Sequence, residues 1–123
     1  MITRRTIVGI GTFLSAGLGR VAWAHHGWRW TEDGNFELTG VITAARLGNP
    51  HGILEVDADG EAWIVEVGQP HRNASAGLTD DMLAPGVEII ASGGRSADQA
   101  ENRMKAERIT IGGILYDLYP NRS

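Results

Sequence analysis

The chain contains no cysteine. That single absence removes disulfides, thiolate metal sites, covalent haem attachment and thiol catalysis together. Basic charge is scarce as well: 11 Lys and Arg stand against 15 Asp and Glu, for a formal charge of −4. Nucleic-acid binding relies on a basic stripe that neutralises phosphates, so no nucleic-acid partner is expected. The one long uncharged run, residues 6–18, falls short of the about 20 residues that cross a bilayer. No serine sits in a nucleophile-elbow pattern, which leaves Ser-His-acid hydrolysis without support. Gly9-x-Gly11 lies inside the apolar run and has no phosphate-binding meaning. Repeats and low-complexity tracts are missing too. The 123 residues suit one domain, and its stability must come from its core.

What is present begins with the layout of an export signal over residues 1–24. Arg4 and Arg5 make a positive start, residues 6–18 form the apolar run, and Ala22-Trp23-Ala24 is a small-x-small cleavage site. Residues 3–8 are similar to a twin-arginine signal, whose substrates cross the membrane folded. Cleavage after Ala24 removes Arg4, Arg5 and Arg20 and no acid, taking the formal charge from −4 to −7. The expectation is a periplasmic protein with no stable membrane anchor once the signal is gone. Residues 25–35 then form an N-terminal arm and residues 36–119 the folded domain.

The domain reads as strands. Phe36, Leu38, Ile42 and Ala44 alternate with Glu37, Thr39 and Thr43, the period of a half-buried strand over 36–46. Gly40 in its middle predicts a bulge or sharp coil. Asn49-Pro50 reverses the chain and delivers His51 to the start of a second strand over 52–57. Asp59-Gly60 is a tight hairpin signal, with Asp57 and Asp59 read as turn chemistry. A third strand over 62–67 puts Trp63, Val65 and Val67 on one face. Residues 69–83 lose the alternation, and Thr79 before Asp80-Asp81 is a helix N-cap candidate with acids in the first turn. Strands over 87–93, 103–111 and 114–118 complete the chain, with a polar loop at 94–102 and a Gly112-Gly113 turn. Three strands, a helical link, two strands and a terminal arm is the order of the OB-fold. The predicted class is therefore all-β with one short helical link: a small Greek-key barrel of five to six strands. A plain antiparallel sandwich is the competing architecture.

Several segments carry a family resemblance. They are His25-His26, Gly40-Val41-Ile42, Asn49-Pro50-His51, Trp63-Ile64-Val65-Glu66, Ala76-Gly77-Leu78-Thr79 and Leu83-Ala84-Pro85-Gly86-Val87. With these the chain resembles domain-of-unknown-function family 6152, a family of small exported proteins, over essentially its whole mature length. It departs from the family in having Gly27-Trp28 after the histidines, where Ser or Ala with Phe is usual. The resemblance implies export and fold and brings no assigned activity.

Chemistry gathers on the four histidines, His25, His26, His51 and His71. Strand directions place the turn before His51 and the end of the third strand, just before His71, at one end of the barrel. Imidazoles converging on one ion are the usual ligands of copper or zinc when thiolates are absent. Cleavage after Ala24 would also give His25 a free α-amine. That amine, its own imidazole and a third nitrogen from His26, His51 or His71 would resemble a copper histidine brace. The plain alternatives are a frayed terminus for His25 and His26, a turn bond for His51 and a solvated loop for His71. Glu66 lies three residues after Trp63 and so faces outward, read as a solvated side chain paired with an arginine, with an acid role near the histidines as the alternative. Trp28 and Trp30 are packing residues, able to cover the barrel mouth or stack on a ligand. No catalytic residue is assigned. The favoured function is metal binding, copper first, as a carrier or accessory protein. The alternative is a metal-free periplasmic binding module for an envelope protein, peptide or small ligand.

Overall fold

In the computed structural model, residues 28–33 and 35–122 are described. The first long strand, β1 (Phe36–Arg46), buries Leu38, Gly40 and Ile42 and exposes Glu37, Thr39, Val41 and Thr43, as the alternation requires. β1 serves two neighbours. Its residues from Phe36 to Val41 pair antiparallel with β4 (Glu88–Arg95), and those from Val41 to Arg46 with β2 (Ile53–Ala58). A strand can do both only by coiling sharply, and Gly40 permits it. A Cβ there would stand 2.5 Å from the Asp57 carbonyl oxygen and 2.6 Å from Val56 Cγ1. The register shift itself falls between Ile42 and Ala44, beyond the glycine. Gly40 thus provides close approach, and the bulge predicted at it lies in the next turn of the coil.

β2 and β3 (Glu61–Glu66) form a hairpin on Asp59-Gly60. Both turn residues have positive φ, 53° and 85°, and the Gly60 N–H donates to Asp57 Oδ1 at 2.9 Å. The linking segment then differs from its expected form. A 3-10 turn, Asp80–Leu83, does follow Thr79, whose side chain makes no cap bond. An α-helix, α1 (Pro70–Ala76), precedes it. Pro70 suits a first helical turn, and Asn73 pins the helix to the strand end: its Oδ1 accepts from Gly68 N–H and its Nδ2 donates to Gly68 O. Gly77, φ 97°, ends it.

β4, β5 (Arg103–Ile111) and β6 (Ile114–Asp117) follow as antiparallel neighbours. The sheet order is β3-β2-β1-β4-β5-β6, and a parallel pairing of β3 with β5 closes the first five strands into a barrel. This is the OB-type arrangement, with β6 as an extra edge strand. Ile42, Leu54, Val65, Ile89, Met104 and Ile109 fill the inside at 0–1% exposure, each buried aliphatic contributing about 1.5–3 kcal/mol. The closing joint is short. It has three register pairs, Ile64 with Arg103, Val65 with Met104 and Glu66 with Lys105. Among the described residues no helix is long and apolar enough to cross a membrane.

Candidate functional site

The joint between β3 and β5 is where charge collects. With Val65 and Met104 pointing inward, their neighbours Glu66, Arg103 and Lys105 point out, over the joint. Lys105 Nζ lies 3.0 Å from Glu66 Oε1, and an Arg103 guanidinium nitrogen lies 3.6 Å from Oε2. His51 Nε2 approaches Oε1 to 3.8 Å. The solvated position expected for Glu66 is corrected: it is 4% exposed, and Lys105 2%. Its direction and its arginine partner are as expected. Its burial comes from residues distant in sequence that lie across the joint.

Those residues are aromatic. The Trp30 ring lies over the Arg103 guanidinium at 3.9 Å. Trp28 stands 5.0 Å from Lys105 Nζ and 3.9 Å from the Arg122 guanidinium, with Tyr119 edge-on at 5.3 Å. The Arg72 guanidinium lies 4.3 Å from the Tyr119 ring. The tryptophans therefore stack on side-chain cations of the outer barrel wall. They sit in a turn, where Thr31 N–H donates to Trp28 O at 3.0 Å. Burial raises the Tyr119 phenol pKa above its ordinary value; the Arg72 charge opposes this, Glu66 adds to it and Arg122 again opposes.

His51 follows the cis Asn49–Pro50 peptide. Gly52 behind it is clamped to the end of β3, donating to Gly68 O at 3.0 Å and accepting from Val67 N–H at 2.9 Å. The turn before β2 and the end of β3 thus share one end of the barrel. The imidazole is part-exposed and lines an open depression with Arg46, Gly48, Asn49, Pro50 and Ile53. His71 sits in the first turn of α1, exposed, with Nε2 3.3 Å from Gln69 Nε2. It borders a different depression, with Arg72, Ser75, Ala76, Asp117 and Leu118 among its walls. His25 and His26 lie outside the described residues. Among the described residues, no group of three or more His, Cys, Asp or Glu side chains could hold a metal ion.

Arg72, Arg103, Lys105, Tyr119 and Arg122 are the members of this cluster that the sequence reading did not single out. A signal for two of them existed. Arg103-x-Lys105-x-Glu107 is a period-2 charged face on a strand whose other face, Met104 and Ala106, is apolar.

Among solved structures, the chain is similar to the Stn1–Ten1 complex of S. pombe, with a TM-score of 0.50, 18% identity, 63% of this chain covered and 57% of that chain. It is similar to yeast Stn1 and Ten1 with a TM-score of 0.50, 14% identity and 63% and 42% coverage. A ZRD-deleted mutant of TiaS in complex with agmatine matches with a TM-score of 0.48, 14% identity and 68% and 26% coverage. The chain spans less than two thirds of each of these chains, and at such identities the likeness shows the fold alone. Comparison with curated proteins finds no match. Residues 14–104 match a family of unknown function (DUF6152), and the chain belongs to that family.

Proposed function

We propose, starting from membership of a family without an assigned activity, that this chain is an exported OB-type barrel that binds a metal ion. Copper is the ion its donors suit, and the role is that of a carrier or accessory protein in the periplasm. His51 is the donor held by the barrel, and His25 and His26 are the donors the arm brings to it. The position of Trp28 is the observation that supports this reading. Its ring lies 5.0 Å from Lys105, Lys105 lies 3.0 Å from Glu66, and Glu66 lies 3.8 Å from His51 Nε2. The arm is thus anchored on the joint that His51 borders. His26 and His25 stand two and three residues ahead of that anchor, a span of at most about 10 Å of extended chain. Imidazole nitrogens, joined by an α-amine if cleavage falls after Ala24, form a thiolate-free set suited to Cu(II). His71 borders a depression of its own and is the least favoured of the four.

Titration calorimetry of the exported mature protein with Cu(II) tests the proposal. The expected result is a dissociation constant below about 1 μM, weakened more than about tenfold in His51→Ala and in His26→Ala. Absence of binding, or binding unchanged by His51→Ala, overturns it. N-terminal sequencing of the same sample should read His25 first; another first residue removes the α-amine from the donor set. A metal-free binding module is the second reading, favoured by Ile114 and Leu115, each 58% exposed on edge strand β6.

A further inference from the structure

We infer that the outer wall over the β3–β5 joint is a docking groove for a Trp-x-Trp segment, filled in this chain by residues 28–33 as a releasable strap. The inference does not depend on metal binding. Three observations carry it. First, the joint is the shortest in the barrel and the only parallel one among the described strands, with three register pairs, so it gains most from a cover. Second, what lies over the joint is side chains: Trp30 on Arg103 at 3.9 Å, and Trp28 among Lys105, Arg122 and Tyr119 at 5.0, 3.9 and 5.3 Å. The strap's backbone bonds run instead to the end of β4 and the loop after it. Trp30 O accepts from Ala97 N–H, Glu32 N–H donates to Arg95 O, both at 3.0 Å, and Thr31 bridges to Ser96. Third, the groove floor is ionic. If the rings leave, Glu66, Lys105 and Arg103 pass from aromatic cover to water, which solvates them well. An apolar floor would be costly to wet; this one is built to open and close.

The groove accordingly recognises an aromatic pair two residues apart, each ring lying on a cation. The test uses the full mature chain carrying Trp28→Ala and Trp30→Ala, followed by hydrogen exchange resolved to single amides. Amides 64–66 and 103–105 should exchange about tenfold or more faster than in the native chain, the loss expected from one or two cation–π contacts. Amides of the β1–β2 ladder should keep their rates. A synthetic peptide of residues 27–33 added in trans should restore protection over the joint. Unchanged exchange at the joint, a uniform rise over the whole barrel, or a peptide without effect overturns the inference. Arg122→Ala removes one contact of Trp28 together with the 3.2 Å bond from Arg122 Nε to Glu107 Oε2, so if the double variant does not fold it reads the joint-selective rise, at smaller size, at amides 64–66 of β3, the strand that does not carry Glu107. A uniform or absent effect there overturns the inference equally.

Discussion

The wall formed by β1, β2 and β4 and the joint between β3 and β5 close the same barrel by different means. In the wall, an antiparallel ladder runs unbroken from Phe36 to Val41, and the residues behind it are Leu38, Ile42, Leu54, Ile89 and Ala91, all buried. At the joint, the ladder has three pairs, and outside it lies a carboxylate with two cations, roofed by Trp28 and Trp30. Apolar burial is non-directional and tolerates small shifts. A buried ion pair is neutral to stability when complete and costly when one partner is lost. One end of the molecule is therefore stabilised by area, the other by completeness.

The sharpest way to break that contrast is Lys105→Met. It removes the 3.0 Å partner of buried Glu66 and leaves Arg103 at 3.6 Å, so urea unfolding should show a loss of about 3 kcal/mol, the low end for a broken buried pair. Adding Glu66→Leu should recover most of it, because the pair as a whole contributes little. If the single change costs less than about 1 kcal/mol, the joint is not held by completeness. Gly40→Ala probes the wall. Its Cβ would meet the Asp57 carbonyl at 2.5 Å, and the forced shift should cost about 1–3 kcal/mol in the same assay. No second change at the joint should rescue it.

The smallest effect concerns pH. Tyr119 beside the joint has its pKa raised by burial above the ordinary value of 10.0. A raised folded value means the native state holds the proton where the unfolded chain has released it. That contribution is complete below about pH 10 and is lost as the pH climbs through the folded value. Stability measured across that window should decline less steeply in Tyr119→Phe than in the native chain. An equal decline would mean that burial does not raise the Tyr119 phenol in the folded chain.

Legibility in the sequence divides along the same line. β1 was readable to the residue from period-2 alternation, and the β2–β3 turn from Asp59-Gly60, because those signals act between chain neighbours. Helix α1 was not. Its seven residues carry little periodicity, and it is pinned by Asn73 bonding back to Gly68. The outward face of Glu66 was legible and its burial was not, since the cover comes from residues 28–30 and 119–122. His51 was readable as the residue after a chain reversal. Its approach to Glu66 depends on the β2–β3 register, in which Ile53 faces Glu66.

By itself, the sequence determined the strands, their turns and the inward faces of β1 and β3, and with them the order of the elements. These follow from local sterics and from hydrophobic spacing that repeats every two residues. Only the tertiary structure decided that Glu66 and Lys105 are sealed from water and that the arm lies across them. Burial of a charge depends on what arrives from elsewhere in the chain, and no local pattern specifies what arrives.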